Sequence, residues 1–354
     1  MALRPSSRVE AESPADRELP ASQSAAAAAS EAARSRPPVA LLALRRVPLT
    51  QEVVLFLFVL ALAIAFGFYE SVFWTGVNQQ NLSRQGSVLA MVAAGEIFPI
   101  LIGGIDLSVG GQVSMLSIFA VQLSHHMPIP LAFLLTIGAG MGVGLVNGLL
   151  VTYGRISPII ATLGTWQVMV GFTLWYTKGL PVRNFSDSYR ALGGDNVWFL
   201  PAATVLAIAV VIVAWLLLKR TRFGRYVYAL GGNFEAARLS GVRTIFVTIA
   251  AYVTCSIFTS IGAITLSSRV GSGLPGLGGG LEIQAIAAVF IGGIAWGGGA
   301  GSVIGAVLGV ALVTVLANGL DLAAVSSDVQ TMITGFLVVL AVGLNARRRR
   351  VSGV

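Results

Sequence analysis

Ten apolar stretches separated by short polar or glycine-rich segments run through the chain: 53–68, 87–103, 107–123, 131–151, 158–176, 201–218, 245–266, 283–295, 302–317 and 329–344. A helix rises about 1.5 Å per residue, so about 20 residues cross a hydrocarbon core of about 30 Å. The ten-residue alternation of barrel strands is absent, which leaves helices as the spanning element. The pattern predicts an all-α polytopic membrane protein of about ten transmembrane helices, some of them interrupted. A glycine-rich break, Gly103-Gly104-Ile105-Asp106-Leu107-Ser108-Val109-Gly110-Gly111, parts the second span from the third. Around Gly297-Gly298-Gly299 the eighth and ninth are short, and one bent or re-entrant unit is an alternative there. Ile102-Gly103-Gly104-Ile105 is echoed by Ile291-Gly292-Gly293-Ile294, and Asn147-Gly148-Leu149 by Asn318-Gly319-Leu320. An internal repeat and chance similarity between glycine-rich helices both account for this.

Composition supports the membrane reading: 55% of residues are hydrophobic and 11% charged, against about 25% charged in soluble domains. Mean hydropathy is +0.83. The net charge of +8 sits mostly in membrane-flanking segments, so it reports topology and not a nucleic-acid partner. Arg155, the stretch 219–243 and Arg347 to Arg350 fall on one side in a ten-span count, and short loops with such an excess stay in the cytoplasm. Both termini are therefore expected to be cytoplasmic. Residues 1–45 are rich in Ala, Ser, Pro and Arg without a secretory signal pattern, and are expected to be a disordered tail. The membrane domain is placed at 46–345 and a basic tail at 346–354. Cys255 is the one cysteine, which excludes an internal disulfide.

The most polar interruption is 219–243, where Lys219, Arg220, Arg222, Arg225, Arg238 and Arg243 face a single acid, Glu235. Asn233 is suited to cap a short helix with Glu235 in its first turn; Ala236, Ala237, Arg238 and Leu239 continue it and Gly241 ends it. Two turns of helix do not hold alone in water, so this one needs a surface to lie on.

Within the spans, Glu96 and Asp106 must face a bundle interior, a cavity or an interface, because an ionised carboxylate in hydrocarbon is costly. Each either lines or gates a path or has a structural role; for Asp106 that role is capping the helix that begins near Ser108. Asn147 and Asn318 are candidates for interhelical hydrogen bonds and, less often, for ligand contact. Gly138, Gly140, Gly142 and Gly144, and Gly301, Gly305 and Gly309, form a helix-packing signature. No phosphate-binding G-x-x-x-x-G-K-[ST] occurs, and the only lysines are Lys178 and Lys219. His125 and His126 are adjacent, without metal-site spacing, and no G-x-S-x-G frames a nucleophile. On these grounds no enzymatic activity and no cofactor are expected in this chain.

Several ordered stretches resemble the membrane permease subunit of bacterial ATP-binding cassette importers of the ribose/xylose/galactose type. They are Gly103 to Gly110, Asn147 to Leu150, Tyr153 to Gly164, Thr221 to Arg225, Gly231 to Asn233, Glu235 to Gly241, Ala285 to Gly293 and Gly301 to Gly305. The resemblance implies an inner-membrane importer of a monosaccharide or related polyol working by alternating access. It implies three partners: a cytoplasmic ATP-binding subunit using ATP and magnesium, a periplasmic sugar-binding protein, and a second identical or related permease subunit. It further implies that Asn233, Glu235, Ala236, Ala237, Arg238, Leu239, Ser240 and Gly241 contact the ATPase. Gln112-Val113-Ser114-Met115 departs from the family pattern after the glycines, which leaves the outward face of the path open. The alternative is a secondary transporter or channel that uses Asp106 or Glu96 as a proton or cation site.

Overall fold

The structure is a computed structural model and describes residues 51–352; the expected tail at 1–45 lies outside them. Its helices are α1 (Gln51–Tyr69), α2 (Gly76–Leu101), α3 (Val109–Ser124), α4 (Ile129–Thr152), α5 (Pro158–Thr177), α6 (Asp187–Gly194), α7 (Ala202–Arg220), α8 (Arg222–Gly232), α9 (Phe234–Leu239), α10 (Thr244–Val270), α11 (Leu281–Ile291), α12 (Val303–Leu322) and α13 (Ser327–Ser352). Four two-residue strands, β1 (Val182–Arg183), β2 (Asn196–Val197), β3 (Leu200–Pro201) and β4 (Ser272–Gly273), make two antiparallel pairs, β1 with β4 and β2 with β3.

Six of these helices, α1, α4, α5, α7, α10 and α12, are long and apolar enough to cross a membrane, against the ten spans expected. The shortfall has physical causes. Helix α2 starts eleven residues earlier than the apolar stretch does, with Asn78, Gln79, Gln80, Asn81, Arg84 and Gln85 in its first turns. Helix α3 has 16 residues and α11 only 11, about 16 Å. Before α11 the chain passes through β4 and then a run of turns at 275–280: an added Cβ at Gly273 would meet Ser117 O at 2.5 Å, and Gly278 N donates to Ser114 Oγ at 3.1 Å. The apolar part of α13 is Ser327–Leu340, and the expected basic tail continues this helix to Ser352.

Polar contacts mark two ends of the bundle. At one, which carries 219–243 and is termed the insert end, Gln51 Nε2 donates to Ile291 O at 3.5 Å, Ser302 Oγ bonds Glu52 Oε1, and Gly299 N donates to Leu101 O at 2.9 Å. At the other, Arg84 donates to Gly194 O and Asn196 Oδ1 at 2.9 Å, and Asn184 Nδ2 to Ser124 Oγ at 2.8 Å. There too Tyr189 OH and Ser267 Oγ lie 2.7 Å apart. Each long helix therefore runs from one end to the other.

The core is α2, α3 and α10, with α4, α7, α11 and α12 packed around them. Helix α4 meets α10 along Gly140, Gly144 and Gly148: an added Cβ would stand 2.6 Å from Tyr252 O at Gly144 and 2.8 Å from Ile249 Cα at Gly148. Gly138 and Gly142 point into open space, so the packing face repeats every fourth residue. The outer faces of α1, α4, α5 and α7 expose Phe58, Leu134, Val168 and Ile212 among many apolar side chains, as a lipid-facing surface requires.

Candidate functional site

The insert folds as two helices where the sequence predicts one. Thr221 Oγ accepts from Gly224 N at 3.1 Å and so caps α8, whose Gly224, Val227 and Leu230 are buried. Only Asn233 separates α8 from α9; its Oδ1 accepts from Ala236 N at 2.9 Å. At the far end of α9, Gly241 N bonds Arg238 O and Val242 N bonds Ala237 O, both at 3.1 Å, with Gly241 at φ +82°. That left-handed turn requires a residue without Cβ. Glu235 and Arg238 pair at 2.8 Å on the exposed side, Ser240 Oγ bonds Ala236 O at 2.8 Å, and Ala237 is buried. Phe234 and Leu239 are 51% and 80% exposed. Two large apolar side chains thus stand exposed beside an ion pair.

A second polar assembly lies inside the bundle, at the break between α2 and α3. Asp106 is fully buried, and its Oδ1 accepts from Ser108 N at 2.9 Å and from Ser108 Oγ. Asn147 Nδ2, from α4, donates to Ser108 Oγ at 2.8 Å and stands 3.4 Å from both Asp106 oxygens. Gln112 Nε2 donates to Ser108 Oγ at 2.8 Å, and Thr165 Oγ1, from α5, to Asn147 Oδ1 at 2.8 Å. Asp106 therefore organises the first turn of α3 and ties it to α4 and α5. Glu96, one helical turn and a half before the end of α2, has Cys255 Sγ at 3.9 Å from Oε1 and no partner at Oε2. Tyr252 OH, Ser256 Oγ, Thr259 Oγ1 and Gln112 Oε1 are likewise buried without a partner. Among the described residues no basic side chain pairs with either carboxylate, and no three His, Cys, Asp or Glu side chains are grouped to hold a metal ion.

Asn318 belongs to neither assembly. It exchanges amide hydrogen bonds of 3.0 and 2.9 Å with Asn78 and so joins the end of α12 to the start of α2. Asn78 and Ser108 are partners that sequence reasoning missed. It also missed Gln167, the one exposed amide or charged side chain more than a turn from the ends of the six long apolar helices, among the described residues. It sits at mid-span in α5, and an added Cβ at Gly164 or Gly171, on the same face, would meet nothing within 4 Å. A primary amide left in hydrocarbon costs a few kcal/mol, roughly 1–3 on protein scales, so this face is built for something other than lipid tails.

The described residues form an all-α membrane bundle with interrupted helices and a basic insert that packs on one end of it, an architecture that fits a membrane transport subunit. The chain belongs to the permease family described as "Branched-chain amino acid transport system / permease component", which matches residues 78–342. It is 35% identical over 275 residues to the ribose import permease protein of Bacillus subtilis, covering 77% of this chain and 85% of that one. To the galactose/methyl galactoside import permease protein of Haemophilus influenzae it is 33% identical over 318 residues, 84% of this chain and 94% of that one. To the ribose import permease protein of Escherichia coli it is 35% identical over 288 residues, 78% and 88% of the two chains. No solved structure matches the chain. It is thus a bacterial ABC-importer permease of the ribose/galactose type and not an enzyme.

Proposed function

We propose that this permease carries a neutral monosaccharide or related polyol across the bacterial inner membrane by alternating access. A cytoplasmic ATP-binding subunit using ATP and magnesium drives it, a periplasmic binding protein supplies the solute, and a second identical or related permease completes the path. The observation that carries this reading is the likeness to ribose and galactose/methyl galactoside permeases over 85–94% of their length. The family description names amino acids, but a zwitterion calls for opposing charges along its path. Here the exposed polar group at mid-span is the neutral Gln167, and Glu96 and Asp106 are sealed inside the fold. That supports a solute recognised through hydroxyl groups.

The ten-pass topology belongs to the same proposal: α2, α3 and α13 each make one pass, and β4 with the turns of 274–280 followed by α11 makes another. The insert end is cytoplasmic in this reading, since Arg155 and the basic stretch 219–243 lie there. Asn233, Glu235, Ala236, Ala237, Arg238, Leu239, Ser240 and Gly241 form the contact with the ATPase, with Leu239 as its apolar centre. Asp106, Asn147 and Asn318 hold the helices around the path, while Glu96, with a free oxygen, is the gate candidate among the four. Uptake should vanish when either the ATPase or the binding protein is deleted, and Leu239→Asp should abolish co-purification of the ATPase at normal membrane level. Uptake that persists without the ATPase would refute the reading in favour of a secondary transporter.

A further inference from the structure

Three pieces of backbone converge at the insert end: the last turn of α2, the loop 297–301 ahead of α12, and the last turn of α8. Gly299 N donates to Leu101 O at 2.9 Å, which occupies one of the carbonyls a helix C-terminus leaves free. Gly231 of α8 lies directly over this bond. A Cβ there would overlap Leu101 O and stand 2.5 Å from Gly299 N. In return, a Cβ on Gly299 would stand 2.6 Å from Gly232 N, and one on Gly298 would stand 2.8 Å from Gly103 N. One turn back along α8, Tyr228 OH donates to Gly301 O at 3.0 Å. Gly297, Gly298, Gly299 and Gly301 all have positive φ, from 79° to 135°, so the loop holds a shape that side chains would not allow. Burial pushes the Tyr228 hydroxyl above its ordinary range.

We propose that α8 is the transmission lever of the permease, and that Tyr228 and Gly231 are the positioning residues through which movement of α9 reaches both helix breaks at once. The geometry is that of a lever because α8 and α9 share a single joint, Asn233, and α8 touches the end of α2 and the approach to α12 through backbone at Gly231 and Gly232, beside the side-chain contacts of Phe223 with Phe98 and of Tyr228 with Gly301. At Gly231 a push from α9 meets backbone directly. This inference rests on the reading of 233–241 as the segment that meets the ATPase.

The test uses the full chain in complex with its ATPase and binding protein in proteoliposomes, and compares Tyr228→Phe, Gly231→Ala and Leu239→Asp. Tyr228→Phe should keep normal membrane level, ATPase co-purification and basal ATP hydrolysis, while solute moved per ATP hydrolysed falls roughly 5-fold, the shift one lost hydrogen bond gives. Gly231→Ala should reduce that ratio further. Because Gly231→Ala also disturbs packing, Tyr228→Phe carries the decision. A wild-type ratio in Tyr228→Phe overturns the lever, as does loss of ATPase co-purification in that variant, which would make Tyr228 a docking residue. If Leu239→Asp retains the ATPase in full, the coupling reading itself falls and the lever with it.

Discussion

Replacing Asp106 separates a scaffold from an ion path. Asp106→Ala removes the acceptor for Ser108 N just ahead of α3, a side-chain-to-backbone bond worth about 1 kcal/mol, and leaves the buried Ser108 hydroxyl without its acceptor, about 1–3 kcal/mol more. Asn147 and Gln112 still donate to Ser108 Oγ, so the loss stops near 2–4 kcal/mol. Asp106→Asn keeps one oxygen for Ser108 and sets an amide near Asn147 Nδ2, which lies 3.4 Å from each carboxylate oxygen, at a cost of about 1 kcal/mol. The expected order is therefore wild type, Asn, Ala. Heating in detergent followed by size-exclusion detection should show it, with Asp106→Asn retaining most of its uptake in cells. An Asp106→Asn protein that is as stable as wild type, binds its ATPase and yet transports nothing would refute the structural role and return the carboxylate to the path.

Asn78 and Asn318 should be coupled by about 1–3 kcal/mol in a double-mutant cycle with Ala, given two interhelical amide bonds at about 0.6 to 1.7 kcal/mol each; strict additivity in the melting data would contradict the pair. Gln167→Leu should lower uptake several-fold with normal membrane level and unchanged basal ATPase, whereas Gln167→Asn should keep part of it; a lipid-facing Gln167 predicts equal or better uptake from the leucine variant. The Tyr189 hydroxyl, on α6 outside the membrane, is pushed up to about 12 by burial, against the opposing effect of its hydrogen bond with Ser267. The neutral phenol is the form the fold favours, so its contribution is complete below about pH 10 and is lost as pH rises through about 12. The difference in melting temperature between wild type and Tyr189→Phe should shrink over that interval and stay constant below it.

Helix boundaries were legible wherever apolar length and punctuation agreed. Pro158 opens α5, Arg220 closes α7, and Asn233 with Gly241 bracket α9, because each acts on its own neighbours in the chain. The start of α2 was not legible: its polar first turns are held by contacts such as Asn78 with Asn318, 240 residues away, which no local pattern announces. Helix α8 hid because its arginines dominate the composition, although Thr221 and the spacing of Phe223, Val227 and Leu230 carry the signal of an amphipathic helix. Asp106 does not cap α3 as the sequence suggests: it bonds Ser108 N one residue ahead of the helix, and its ties to Asn147 through Ser108 depend on where α4 lies. Gln167 became informative only once burial was known: in the sequence it is one polar residue in an apolar run, and its exposure is what singles it out.

The position of α3 bears on how the protein is made. At 16 residues, with Gln112, Ser114 and Ser117 buried on its sides, it is too short and too polar to dwell in lipid as an independent helix. Helices α4, α5 and α10 pack around it, and α10 leaves the ribosome more than a hundred residues later. A nascent chain halted before residue 244 should therefore keep α3 in a watery or chaperoned setting, entering the bilayer core only when the later helix arrives to enclose it.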